Sequence, residues 1–156
     1  MGQANHTMVS NTDTSCSPCH TGTDAANRMV AVQGEVMNSL SALKRRLESW
    51  ATTKYGNSSF WDYTTLVTGG TAPTQSGVPI EVKRARYNYY YIVRSGDYGV
   101  HNAVYTRHLI TVANTNLTNI AVPAAVPQTK SLQELAPYFK AEKARAMQME
   151  MGSAPQ

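Results

Sequence analysis

Apolar side chains recur at helical spacing along the first third of the chain, after a polar start. From residue 29 to residue 50, every third or fourth position is apolar, which is the pattern of one continuous stripe along an α-helix. These positions are Met29, Val32, Val36, Leu40, Leu43, Leu47 and Trp50. Asp24 suits the N-cap, and Gly56 suits the position just past the helix end. Such a helix is about 45 Å long, so it needs a long antiparallel partner or a second chain to cover the stripe.

A second amphipathic segment follows a loop that is rich in glycine, serine and proline. Pro79 opens the segment and Gly96 ends it, and its apolar side chains again lie three and four residues apart. They are Val78, Val82, Ala85, Tyr89 and Ile92. We expect this helix to be the antiparallel partner of the first. Phe60, Trp61 and Tyr63 interrupt the preceding loop, and we expect them to form an apolar plug against the helix pair, with ligand contact as the alternative.

A third helix is predicted from His101 to about Ala113. The two glycines of the segment before it, Gly96–Asn102, allow a tight turn that ends in His101. Val104, His108 and Val112 fall on one face of the helix, which predicts that His108 lies on the helix surface or in ordinary packing. His101 differs, because a histidine on a glycine-bounded turn can be aimed at a metal without the constraint of a helix.

The C-terminal part of the chain changes in composition. Residues 114–130 are rich in Asn, Thr, Ala and Pro and predict an extended linker. A last helix, from about Leu132 to Met151, has a thin apolar stripe at Leu135, Phe139 and Met147, so it could pack on the domain, pack on a partner or fray. The predicted fold class is mainly α with little or no β structure: a long antiparallel helix pair with short helices and loops. The chain divides into a helical domain at 1–113, the linker, and a C-terminal helix and tail at 131–156.

Charge excludes one class of function. Only 15% of the residues are charged and the formal net charge is +4, with an isoelectric point near 9.1. Lys44, Arg45 and Arg46 are the only tight basic cluster, and three adjacent cations on a helix are expected to form a solvated face. We therefore expect no nucleic-acid binding. No stretch approaches the roughly 18 apolar residues of a membrane span.

Chemistry concentrates in the motif Cys16-Ser17-Pro18-Cys19-His20, which is the attachment pattern of a c-type haem. Two thiols three positions apart can each form a thioether to one vinyl group of a porphyrin, and the next histidine can then reach the iron as the proximal ligand.

Three alternatives to haem attachment are open to the same cysteines. A zinc site could use both with His20 and His6, but such sites usually draw on two separated ligand pairs. A thioredoxin-like redox pair would need a βαβ context, which is not visible. A disulfide across so short a loop would stabilise little. Haem c is therefore the predicted cofactor, and residues 1–113 form its domain, with the helices packed around it.

Haem c is attached outside the bacterial cytoplasm, so a periplasmic or extracellular location is expected. The segment Met1–Ser15 has neither a basic start nor an apolar run and so does not resemble a secretory leader. Either a leader has been removed or the chain is part of a longer protein. The plentiful uncharged polar residues fit either of these locations.

Four tyrosines crowd the second helix at Tyr87, Tyr89, Tyr90 and Tyr91. They could contact a porphyrin or another subunit, although ordinary helix packing with hydroxyls in water is the simpler interpretation. The acidic residues give no acid–base pair: we interpret them as scattered surface carboxylates, namely Asp24, Glu35, Glu48 and Asp62. No catalytic residue is assigned, and the protein is expected to transfer electrons rather than act as an enzyme.

The order of features resembles the C-terminal part of multihaem c-type cytochromes, the family of the pentahaem ammonia-forming nitrite reductase and its octahaem relatives. The resemblance covers about residues 5–113 and is carried by the haem motif, the string Ala-Arg-Tyr-Asn-Tyr-Tyr-Tyr at 85–91 and the string Gly-Val-His-Asn-Ala-Val-Tyr at 99–105. It implies His20 as proximal ligand and His101 as a distal ligand. It also implies His6 as a distal ligand, usually of a different haem. Nothing in this chain matches the family's active-site haem, calcium site or catalytic groups.

One departure from that family shapes the functional hypothesis. This chain has a single haem motif and more histidines than one haem needs. His101 or His6 therefore caps either the chain's own haem or a haem held by another chain, which makes redox partners, other haem-bearing chains or further copies the expected partners. Electron transfer through a haem with two histidine ligands is the first hypothesis. The alternatives are a five-coordinate haem that binds or reduces a small ligand, and a structural subunit of a cytochrome filament or complex.

Overall fold

A computed structural model describes residues 23–62 and 73–151, with side chains through residue 148. Within these ranges the chain forms four α-helices, two short 3-10 turns and no strand, which confirms the mainly α prediction. The helices are α1 (Thr23–Tyr55), α2 (Ile80–Ser95), α3 (Ala103–Asn119) and α4 (Leu132–Met151). The 3-10 turns are Ser58–Trp61 and Gln75–Gly77. In the part of the chain described, none of the helices has the length and apolar content needed to cross a bilayer.

The long first helix has the predicted stripe and the predicted end. It begins at Thr23, so Asp24 lies inside the first turn rather than at the N-cap, where its carboxylate accepts a hydrogen bond from Arg28. Gly56 ends the helix at φ 72°, and its N–H donates to the carbonyl of Thr52 at 2.8 Å. The central part of the stripe is fully buried at Val36, Leu40, Leu43 and Leu47.

The second helix packs more extensively against α3 than against α1. It begins directly after Pro79 and ends at Gly96, whose φ of 72° makes it the left-handed cap that the sequence indicated. Val82, Ala85 and Val93 are fully buried on its inner side. The antiparallel arrangement of α1 and α2 stays a prediction.

The aromatic plug is confirmed where the structure describes it. Phe60 and Trp61 are buried in the first 3-10 turn. The Trp61 ring stacks on Tyr90 with centroids 5.6 Å apart and meets Tyr89 edge-on at 5.6 Å. Tyr63, the third member of the predicted plug, lies outside the described residues.

The third helix is longer than its composition suggested. It continues to Asn119, so the segment predicted as a linker from residue 114 begins with one and a half more helical turns. Leu117 and Asn116 are buried there. The polar residues of this end bond within the fold and not to solvent alone, because Asn114 and Thr118 both accept from a guanidinium on α1.

That guanidinium belongs to Arg46, and its burial corrects the expectation of a solvated basic face. Arg46 is only 6% exposed. Its guanidinium donates five hydrogen bonds, to the carbonyls of Asn114, Val122 and Pro123, the side-chain oxygen of Asn114 and the hydroxyl of Thr118. Burial lowers the pKa of Arg46, but a guanidinium stays charged at neutral pH. Its carbonyl partners take up that charge at the C-terminal end of α3, where cations are favoured.

The last helix packs and does not extend into solvent alone. Leu135, Phe139 and Ala146 are buried in the same apolar core as the side chains of the first three helices. Met147, which the sequence placed in the thin apolar stripe, is instead half exposed.

Candidate functional site

Of the four predicted iron ligands and thioether positions at the N-terminus, none lies in the part of the chain that the structure describes. Cys16, Cys19, His20 and His6 all fall outside the described residues. His101 is described, and its surroundings can be built up from the turn that holds it.

The turn between α2 and α3, residues 96–102, is here called the His101 turn. Three positive φ angles shape it: 72° at Gly96, which ends α2, 49° at Tyr98 and 89° at Gly99. One oxygen of the Asp97 carboxylate accepts from the Ser95 hydroxyl at 2.8 Å and from the Gly99 N–H at 3.3 Å. The other oxygen accepts from the His101 backbone N–H at 3.3 Å and lies 3.2 Å from His101 Nδ1.

Asp97 thereby determines the tautomer of the His101 imidazole. Burial acts to raise the pKa of Asp97, but the hydrogen bonds from Ser95, Gly99 and His101 outweigh it and hold the pKa below the usual value of an aspartate. An ionised carboxylate can only accept hydrogen bonds, so Nδ1 of a neutral His101 carries the proton and Nε2 carries the lone pair. Asp97 is not among the residues predicted from the sequence, although an Asp side chain commonly bonds the backbone two residues on, as it does here with Gly99.

Contacts with α1 and α4 hold the His101 turn in place. On the α1 side, Gln33 Nε2 donates to the carbonyl of Asp97 at 3.4 Å, and a Cβ at Gly99 would come within 3.3 Å of a Val36 methyl group. On the α4 side, the Tyr98 ring packs edge-on against Phe139 with centroids 5.5 Å apart, and its hydroxyl donates to the Phe139 carbonyl. The backbone that carries His101 is therefore fixed by two helices.

The geometry suits a metal ligand. The His101 side chain is 50% exposed, so it lies at the surface and not in the core. Histidines that bind metals almost always donate their second ring N–H to a carboxylate, a carbonyl or water, which fixes the tautomer and raises ligand basicity. His101 with Asp97 fits a distal haem ligand on that criterion. His108 lies exposed on α3, as the sequence predicted.

A second polar cluster, around Asp62, is buried and corrects one expectation. Asp62 was interpreted as a surface carboxylate, yet it is 1% exposed. Arg86 donates to one of its oxygens from Nε at 2.9 Å and from Nη2 at 2.7 Å. The other oxygen accepts from the Tyr90 hydroxyl at 2.7 Å and from Arg145 at 2.9 Å. The two guanidiniums compensate the buried carboxylate, and the cluster ties the aromatic plug to α2 and α4.

Tyr89, next to Tyr90 in the sequence, also donates a hydrogen bond to a buried carboxylate. Tyr89 donates its hydroxyl to Glu142 at 2.8 Å, and Lys44 forms an ion pair with Glu142 at 3.2 Å. Burial and the nearby carboxylates raise the pKa of both Tyr89 and Tyr90, so both stay protonated donors. The expectation of water-exposed hydroxyls is wrong for these two tyrosines. It fits the exposed Tyr87.

Within residues 23–62 and 73–151, no three His, Cys, Asp or Glu side chains come together as a metal site. In comparisons with known proteins, no family model, curated protein or solved structure matched the chain.

Proposed function

We propose that the chain is a c-type cytochrome subunit that carries single electrons through one haem, attached to Cys16 and Cys19. In this proposal His20 is the proximal iron ligand and His101 is the distal ligand of this haem or of one held by a neighbouring chain. When bound, a haem with two histidine ligands supplies reversible one-electron transfer and leaves no position for substrate. The proposal places the protein in the periplasm or outside the cell.

Two observations support the proposal. The first is the motif itself, whose spacing uses the only two cysteines of the chain. The second is the Asp97–His101 pair, which carries the argument from the described residues. Its 3.2 Å contact holds Nδ1, directs the lone pair to Nε2, and sits on a turn braced by α1 and α4. A half-exposed histidine held in this tautomer offers Nε2 to a metal.

Intact mass provides the first test. The full chain is produced in a host able to attach haem c, alongside a variant in which Cys16 and Cys19 are both alanine. The wild type should carry the added mass of one iron-porphyrin through denaturing chromatography, and the double variant should not. Absence of the added mass from the wild type would refute the proposal at its base.

Optical spectra of the oxidised and reduced forms provide the second test. The wild type should show a low-spin iron. In His101→Ala the iron should become high-spin, or its spectrum should be that of a weaker ligand in place of His101. His108→Ala is the matched control, because His108 is also exposed and near the start of α3, and it should leave the spectrum unchanged. A high-spin wild type would instead favour the five-coordinate alternative. A change caused by His6→Ala and not by His101→Ala would transfer the distal role to His6.

A mixing experiment decides which chain supplies the ligand. The haem-loaded His101→Ala chain is mixed with an unloaded chain that keeps His101 but lacks Cys16 and Cys19. Recovery of the low-spin spectrum on mixing means that His101 acts across chains, which fits a polymer or an obligate complex. Failure to recover, together with a low-spin wild-type monomer at high dilution, means that His101 ligates its own haem and removes the assembly alternative.

A further inference from the structure

Three tyrosines lie exposed where α2 and α3 meet, and they contact one another. Tyr87 and Tyr91 stack with centroids 6.2 Å apart, and Tyr91 meets Tyr105 edge-on at 6.4 Å. They are 66%, 48% and 47% exposed, respectively. Tyr87, Tyr91 and Tyr105 are here called the tyrosine patch. Large aromatic rings held against each other at the surface are the residues that most often dominate the energy of protein interfaces.

Apolar side chains of α3 extend the patch. Val104 precedes Tyr105 and is 78% exposed, and Val112 lies two turns further along and is 37% exposed. The buried positions of α3, such as Ile110 and Ala113, already face the core. Val112 also lines a recess together with Tyr87, so it adds apolar area to the face that carries the tyrosine patch.

The charge on the two helices that carry the patch is mainly positive. On α2, Lys83, Arg84, Arg86 and Arg94 stand against a single carboxylate, Glu81. The sequence of α3 contains no carboxylate at all. Arg86 is compensated by Asp62. Lys83 and Arg84 form no salt bridge with any residue that the structure describes, so their charge is directed at a partner or at solvent.

Two recesses flank Tyr87. One has a volume of about 370 Å³ and is lined by Lys83, Arg84 and Val112 among others. The second has a volume of about 470 Å³, and its walls include Tyr91 and Arg94. The first recess combines an apolar wall with Lys83 and Arg84, which is the lining expected for an acidic side chain that projects from a partner.

We propose that the tyrosine patch and its cationic rim dock an acidic protein surface that also presents apolar side chains. A nucleic acid fits less well, because phosphate binding depends on many cationic contacts, whereas the centre of this face is tyrosine and valine. A second copy of the chain also fits less well, because a two-fold contact sets the same patch against itself and brings Arg84 toward like charge. The proposal does not depend on haem attachment.

Peptide selection tests the proposal on the full chain. Random peptides displayed on phage are selected on the wild type, after removal of those that also bind a Tyr87→Ser, Tyr91→Ser double variant. The expected consensus combines Asp or Glu with apolar residues. A synthetic consensus peptide should bind about tenfold more weakly to Tyr91→Ser alone, and its affinity should fall as salt is added. A consensus without acidic residues, or no enrichment, would overturn the proposal.

A matched pair of valines controls for general loss of surface apolarity. Val104 and Val126 are 78% and 77% exposed, and only Val104 adjoins the patch in sequence. Val104→Ser should weaken peptide binding severalfold and Val126→Ser should not. Equal effects, or tighter binding of a labelled single-stranded oligonucleotide than of the peptide, would contradict an acidic protein partner. Circular dichroism on each variant confirms that the fold is retained, and a variant that unfolds is replaced by Tyr105→Ser.

Discussion

Replacement of Arg46 by methionine tests whether a buried guanidinium holds the C-terminal end of α3 against α1. Arg46 is 6% exposed and makes five hydrogen bonds to residues 68 to 77 positions away in sequence. Methionine keeps much of the aliphatic stem and removes every donor. The change therefore isolates hydrogen bonding from the loss of packing volume.

The expected loss of stability follows from the fate of each acceptor. The Val122 carbonyl accepts from Arg46 at 2.6 Å in a buried position, and an orphaned buried acceptor costs about 1–3 kcal/mol. The Asn114 carbonyl keeps a second donor in the Thr118 hydroxyl, and Pro123 is exposed enough for water to replace the guanidinium. The remaining four bonds therefore contribute about 0.5 kcal/mol each. The free energy of unfolding should fall by about 3–5 kcal/mol.

Urea unfolding followed by far-ultraviolet circular dichroism measures this loss. Arg45→Met is the control, because it removes the same charge from the adjacent position, where the guanidinium makes one solvent-exposed hydrogen bond to Val126. That control should lose less than about 1 kcal/mol. Arg46→Lys should fall between the two, because an ammonium cannot reach acceptors in five directions. If Arg46→Met matched Arg45→Met at an equal urea dependence, the guanidinium would not be what secures α3.

Three further outcomes can be checked directly. Burial raises the pKa of Glu48 above its ordinary value of 4.5, so the ionised side chain that forms as the pH rises destabilises the folded state. In urea titrations Glu48→Gln should therefore be more stable than the wild type at pH 7 and equal to it below about pH 4.5. Gly56 and Gly96 both have a φ of 72°, and replacing either by Ala should lower the free energy of unfolding by about 1 kcal/mol. Gly96→Ala should lower it further, because the added methyl group meets the Lys143 side chain. Adding Lys143→Ala should remove this excess. In an ultraviolet titration, the tyrosines with buried hydroxyls should ionise at higher pH than the others, because burial raises their pKa, that of Tyr98 to about 12. Ionisation of all nine tyrosines near pH 10 would contradict this expectation. Those with buried hydroxyls are Tyr89, Tyr90 and Tyr98.

The helices could be predicted because their signals are local. The apolar stripe of α1 and the glycines that end α1 and α2 lie within a few residues of the structure they determine. Gly56 and Gly96 adopt the left-handed conformation expected just past a helix end. Period and cap chemistry together were sufficient for four helices, although not for their mutual arrangement.

The buried charges could not be predicted, because their partners are distant in sequence. Asp62 meets Arg86 and Arg145, which lie 24 and 83 positions away. A charge in a helical pattern is normally assigned to the solvent face, and this rule fails wherever a second helix brings the compensating group. The end of α3 was missed for the same reason: its Asn and Thr residues have low helix propensity, yet the guanidinium of Arg46 bonds to Asn114 and Thr118 there.

The His101 turn shows what the sequence contained but did not explain. Its glycines were recognised as a turn, yet Gly99 is needed for a tertiary reason, because a side chain there would press on Val36 of α1. The turn leads directly into α3, and Tyr105 of the tyrosine patch lies in the first turn of that helix, four residues beyond His101 in sequence. We expect a partner docked on the patch to approach the end of α3 that follows the proposed iron ligand. Electron transfer requires closely spaced redox centres, so the two proposals have a common consequence. Replacing Tyr91 should slow electron exchange with an acidic redox protein, and it should leave unchanged the optical spectrum that His101 determines.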